Sequence, residues 1–218
     1  MEHPPQQPME HPTPTPRQPE PQPHQPAQET AEREPATDTR IYVASLSDYN
    51  DGRLHGAWID ADGEPDDLDE QVQAMLARSP MRSEAGGAEE WAIHDYEGFG
   101  PLRLGEYEDI ATISTIGQGI AEHGPAFAHW AAISGTSDRD ELARFDDVYL
   151  GHWESVAAYA EELLEDLGID DLLERAIPEH LQAYVHVDVE GFARDLEYSG
   201  DLSSSEGDDG VYLFDQTS

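Results

Sequence analysis

The spacing of apolar residues changes along the chain, and each change predicts an element. Residues 40–46, Arg40-Ile41-Tyr42-Val43-Ala44-Ser45-Leu46, read as a strand. Turn-forming residues at 48–52 lead to a second strand over 56–61. Asp66 can cap a helix over 67–78 that sets Leu68, Val72, Met75 and Leu76 on one face. A third strand over 90–97 completes a β-β-α-β unit spanning about 40–102. The middle is helical. Tyr107, Ile110, Ile113 and Ile116 recur at helical spacing in 106–119, where Gly117 and Gly119 are expected to interrupt. Pro125 suits the first turn of a helix over 126–133, and Asp138 can cap a short one over 139–145.

The last stretch begins near Asp146. Its longest predicted helix is 155–167, with Val156, Tyr159, Ala160, Leu163, Leu164 and Leu167 inward and Gly168 as C-cap. A short helix over 171–177 ends before Pro178. The alternation in 181–189 (LQAYVHVDV) predicts a strand, or a helix end leading into one. Residues 191–196 read as a helical turn, 203–209 as a loop and 210–214 (GVYLF) as a terminal strand. The fold class is therefore α+β, in three small domains at 40–102, 103–145 and 146–218. Before them, residues 1–39 hold 11 of the 16 prolines and no aromatic residue, which predicts a disordered Pro/Gln-rich tail.

Composition changes this picture through charge. The chain has 48 acidic and 11 basic residues, a net of −37, and every basic residue is Arg. The tail carries seven acids and two Arg, so removing its −5 leaves −32 on residues 40–218. Such a field repels nucleic acid and attracts basic surfaces, many of which themselves bind nucleic acid. The absence of Cys excludes disulfides, thiolate nucleophiles and cysteine metal sites. The absence of Lys excludes a P-loop lysine and Schiff-base chemistry. No apolar run suggests a signal peptide or a membrane span, so a soluble cytoplasmic protein is expected.

Candidate chemistry adds little. His94, in His-Asp-Tyr, alternates with core residues on a strand and is expected to face solvent or an interface. His123 and His129 lack metal-ligand spacing. Gly117-Gln118-Gly119 lacks the third glycine of a dinucleotide fingerprint, and Asp60-Ala61-Asp62-Gly63 places glycine too early for a calcium loop. The four Trp residues read as core anchors, with one or two at a seam. No catalytic residue, metal or cofactor is expected. Carboxylates on the 155–167 helix repeat at three- and four-residue steps, ~5–6 Å apart at Cβ. Phosphates on one DNA strand advance ~3.4 Å each. A net of −32 corresponds to ~54 Å of duplex at one charge per ~1.7 Å. Salt adaptation, or service as an acidic decoy or chaperone for another basic protein, accounts for the same composition.

Ordered motifs separate these readings. IYVASLSDYNDGRLHGAWID (41–60), EEWAIHDYEGFG (89–100), FDDVYLGHWESVAAYAEELLEDLG (145–168) and AYVHVDVEGFARDLEYSGDL…GVYLFD (183–215) resemble the ArdA antirestriction proteins. The resemblance implies an elongated, curved homodimer joined through its C-terminal domain and encoded on mobile elements. It also implies a non-enzymatic mimic of B-form DNA that occupies the DNA groove of type I restriction–modification enzymes. On the matching motifs, Asp95, Glu97, Asp146, Asp147, Glu154, Glu161, Glu162 and Glu165 would form the mimic surface collectively. Asp138, Asp140, Glu141 and Asp166 are expected beside them.

Overall fold

Alternation of apolar residues builds the first sheet as predicted. In the computed structural model, which describes residues 38–83 and 89–217, β1 (Arg40–Ser45) lies between β2 (Gly56–Asp60) and β3 (Trp91–Glu97). Both pairings are antiparallel, with Ile41 opposite Ile59 on one side and Tyr96 on the other. The β1–β3 register shifts between Tyr42 and Val43, which face Asp95 and Ile93, so His94 is the extra residue of a bulge. Thr39 already belongs to this fold: it is buried, and its carbonyl accepts from the Ala61 amide. The rest of the predicted tail, 1–37, lies outside the described residues.

The turn predicted at 48–52 contains a short helix, α1 (Leu46–Asn50), capped by Ser45. Asp48 in α1 is fully buried and accepts a short hydrogen bond from Ser79, which follows α2 (Pro65–Ala77). Burial alone would raise this carboxyl's pKa. Hydrogen bonds from Ser45 and Ser79, with the charge of His55, outweigh burial and hold it below the ordinary value. Helix α2 buries Leu68, Val72, Met75 and Leu76, as the sequence predicts. Its cap position is Glu64 rather than Asp66, because Pro65 takes the first helical position. A 3₁₀ turn, Pro80–Ser83, follows.

The middle helices differ from the prediction in register. Helix α3 (Ile110–His123) starts at the Asp109 cap, so Tyr107 lies outside it and is exposed. Gly117 and Gly119 do not interrupt it. A Cβ on Gly117 would sit 2.2 Å from the Ala61 carbonyl oxygen, and one on Gly119 2.4 Å from the Phe127 ring. These glycines let α3 close onto the β2–α2 turn and onto α4 (Pro125–Ser134). Ser114 Oγ and Gln118 Nε2 fasten the same approach by donating to the Gly63 carbonyl at 2.7 and 3.1 Å. The helix predicted over 139–145 is two short pieces, α5 (Arg139–Leu142), capped by Asp138, and α6 (Phe145–Val148).

A second antiparallel sheet, β4-β6-β5, was less legible. Its β4 (Tyr149–Trp153) and β5 (Leu202–Glu206) flank β6 (Val211–Asp215), with Tyr212, Leu213 and Phe214 buried at the centre. Residues 203–206, read as loop, are strand because β6 supplies the pairing partner. Helix α7 (Val156–Asp166) packs on α10 (Val189–Ser199), and each buries one alanine, Ala160 and Ala193. The other predicted inward residues of α7 are only half-buried, and Leu167 is exposed. Between them lie α8 (Ile169–Ala176) and α9 (Glu179–Gln182). The predicted strand over 181–189 is absent, since no strand edge meets it. Its residues run from α9 through irregular, mostly exposed backbone into α10.

The architecture is α+β. The described residues fall in one compact unit, and one buried apolar cluster crosses both predicted domain boundaries. Phe145 stacks on Tyr149 and packs at a tilt against Phe127, and Trp130 packs at a tilt against Phe214, joining the middle helices to the second sheet. Trp130 is thus a core anchor, whereas Trp58 is exposed with the Arg40 guanidinium 4.8 Å from its ring. Among the described residues, no helix is long and apolar enough to cross a membrane.

Helix propensity alone makes Gly117→Ala stabilising by about 1 kcal/mol. The close approach to Ala61 reverses that sign. Gly117→Ala is expected to destabilise the fold by about 2–3 kcal/mol, measured by chemical denaturation.

Candidate functional site

The twelve carboxylates singled out by sequence occupy three regions. Asp95 and Glu97 lie on β3, beyond the His94 bulge, and both are exposed. Asp138, Asp140, Glu141, Asp146 and Asp147 cluster in sequence on α5 and α6. Glu154 precedes α7, and Glu161, Glu162, Glu165 and Asp166 project from it. Eleven of the twelve are exposed, and Glu141 is half-buried. Short helices at the 138–148 corner bury Leu142, Phe145 and Val148, which leaves the acids between them no direction but outward.

Arginines then divide the set. Arg40 binds Glu97 Oε2 through Nε and Nη2 at 2.8 and 2.6 Å, and Arg144 grips both oxygens of Glu141 at 2.9 and 3.0 Å. Asp51, Asp109 and Asp171 are paired by Arg53, Arg139 and Arg175. Exposed pairs of this kind contribute about 0–1 kcal/mol, but they locally cancel charge. Asp138 spends its carboxylate on the amides of Asp140 and Glu141 at the start of α5. No ion pair involves Asp95, Asp140, Asp147, Glu154 or the four acids of α7 among the described residues.

Sequence reasoning missed a comparable group. Asp60, Asp62, Glu64, Asp66, Asp67, Asp69 and Glu70 are all exposed, and no Arg lies between Arg53 and Arg78. The run was visible in the sequence. Its amphipathic pattern drew the reading to the buried face of α2. Asp66 and Asp67 also lie in the first turn, where the helix dipole favours negative charge. A second overlooked group, Glu206, Asp208 and Asp209, surrounds the β5–β6 turn.

The three histidines weighed for chemistry, His94, His123 and His129, all pack against aromatic rings. His94 is exposed and meets the Tyr49 ring edge-on at 4.8 Å. His123 stacks on Phe127 and lies tilted against Phe145, with carboxylates of Glu122 and Asp146 3.8 and 3.7 Å away. His129 is 7% exposed, lies against the Tyr212 ring and bonds Ser205 Oγ through Nδ1 at 2.7 Å. Burial holds its pKa below the ordinary value. The charge of His152 adds to this, and Asp208 opposes it. Among the described residues, no three potential ligands gather where a metal ion could be held. What the surface offers chemically is fixed negative charge.

A family model described as Antirestriction protein (ArdA) matches residues 41–209. The match runs from β1 to the β5–β6 turn and includes all twelve carboxylates. No curated protein matches the chain.

The lowered pKa of His129 has a definite sign. The unfolded chain binds its proton more readily, so the stability it contributes is full above about pH 6.5 and declines as pH falls through that value. His129→Gln is expected to flatten this part of the stability profile, measured by denaturation at stepped pH.

Proposed function

This chain belongs to the ArdA family of antirestriction proteins, and from that premise we propose that it acts as a mimic of B-form DNA. It occupies the DNA groove of the methyltransferase core of type I restriction–modification enzymes and so protects incoming mobile-element DNA. The observation that carries this reading is the set of exposed carboxylates on β3, α5–α6 and α7 that have no cationic partner among the described residues, on a chain that has no Lys. The acidic start of α2 extends the same field. No covalent step is required. Competition needs only negative charge held in place, and the loss of one carboxylate changes it little.

A homodimer joined through its C-terminal segment belongs to the same proposal. Apolar side chains are exposed across the C-terminal segment, among them Leu172 at 55% and Tyr184 at 80%. Helix α8 buries none of its residues. A second copy covering this face would remove that apolar area from water and double the length of the carboxylate field.

Titrating a type I methyltransferase–duplex complex with this protein is expected to release the duplex. Direct binding of this protein to the methyltransferase should weaken by roughly tenfold or more between 50 and 200 mM salt, as duplex binding does. Duplex that stays bound under a large molar excess contradicts the proposal for that enzyme. Leu172→Glu is expected to shift a dimer toward monomer in sedimentation equilibrium. An unchanged mass places the interface elsewhere.

A further inference from the structure

Beside the β5–β6 turn lies an open cavity of about 680 Å³ that the distributed field does not explain. Pro101, Pro125 and Ala128 give it apolar walls, and Glu206, Asp208 and Asp209 stand around it. Asp209 lies 3.6 Å from His152 Nε2, while Glu206 and Asp208 have no ion pair among the described residues. His129 also lines the cavity and is itself more than nine-tenths buried. Its Nδ1 is taken by Ser205, and Nε2 has no hydrogen-bond partner among the described residues. In the tautomer whose Nδ1–H donates to Ser205 Oγ, a neutral imidazole leaves Nε2 free to accept.

Glycine at three lining positions, 98, 100 and 207, lets the backbone pack closely beside the cavity. Gly98 and Gly100 have φ of +84° and +53°, where side chains are strained, and a Cβ on Gly98 would meet the Asp38 carbonyl at 2.5 Å. A Cβ on Gly207 would lie 2.9 Å from the Tyr212 ring.

We propose that this cavity is a socket for an arginine side chain of the basic partner. The proposal rests on the mimicry reading and names a point where the partner is gripped. Apolar walls suit the three-methylene stem, and the carboxylates suit a planar cation with several donors and no acceptor. The guanidinium is more weakly hydrated than an ammonium, so it enters a partly enclosed site at lower desolvation cost than lysine does. An anion would face three carboxylates. Unlike the field around it, the socket does not tolerate the loss of its own acids.

The test uses the full chain and N-acetyl-arginine methylamide as probe, followed by nuclear magnetic resonance. Saturable shifts confined to Gly98, Gly100, His129 and Tyr212 are expected. Asp208→Asn with Asp209→Asn should weaken them at least tenfold, while Asp195→Asn with Glu190→Gln, exposed acids on α10, should not. Amide spectra remote from the turn report whether each variant is folded. Shifts spread over the whole surface, or unchanged in the Asp208/Asp209 variant, overturn the socket. Spermidine binding at least tenfold more tightly than the arginine probe overturns its assignment to a side chain. In the duplex-release assay, the Asp208/Asp209 variant should lose at least tenfold more potency than the charge-matched variant. Equal losses overturn the socket and leave mimicry standing. Absence of release by the unaltered protein overturns the target, and the arginine titration then decides the socket alone.

Discussion

Residues 40–218 carry 32 more negative than positive charges, and their mutual repulsion has to be balanced by the apolar interior before any surface arrangement can persist. Two carboxylates ~6 Å apart repel by about 0.7 kcal/mol even at the dielectric constant of water. Lysines interspersed among them would relieve this, and there are none. The relief comes from inside. One buried cluster extends from Ile41 to Phe214 and ties both sheets to the middle helices. One close joint is α3 against the Ala61–Gly63 turn, which requires glycine at 117. Apolar burial at about 25 cal/mol per Å² then holds charges near one another that would otherwise spread.

A scaffold of this kind converts sequence into a fixed pattern of charge. Where acids follow an amphipathic helix, as on α7, burial of one face turns the others outward. Where they lie on short helices, as at 138–147, Leu142, Phe145 and Val148 do the same with fewer residues. Arginine is spent sparingly. Arg40 and Arg144 neutralise Glu97 and Glu141, which lowers their part in the field, while the acids of α7 have no ion pair among the described residues. The geometry thus converges on one property, carboxylates that face outward.

Much of this was legible before any coordinates. The first sheet, α2, α4 and α7 follow from period-two and helical spacing, and eleven of the twelve chosen acids are exposed. The misreadings share a cause: the deciding partner was distant in sequence. Gly117 and Gly119 look like breakers until Ala61 and Phe127 are placed beside them. Leu202–Glu206 has a single apolar residue and becomes a strand because β6 pairs with it. The 181–189 segment alternates like a strand yet meets no edge. The acids of 60–70 and of the β5–β6 turn were countable. Neither apolar periodicity nor the family motifs mark them as a group.

The most direct measurement of DNA mimicry is hydrogen exchange on the type I methyltransferase core, compared between its complex with this protein and its complex with cognate duplex. The account predicts that both protect the same groove-lining peptides. Protection by this protein confined to peptides outside the duplex footprint would contradict it.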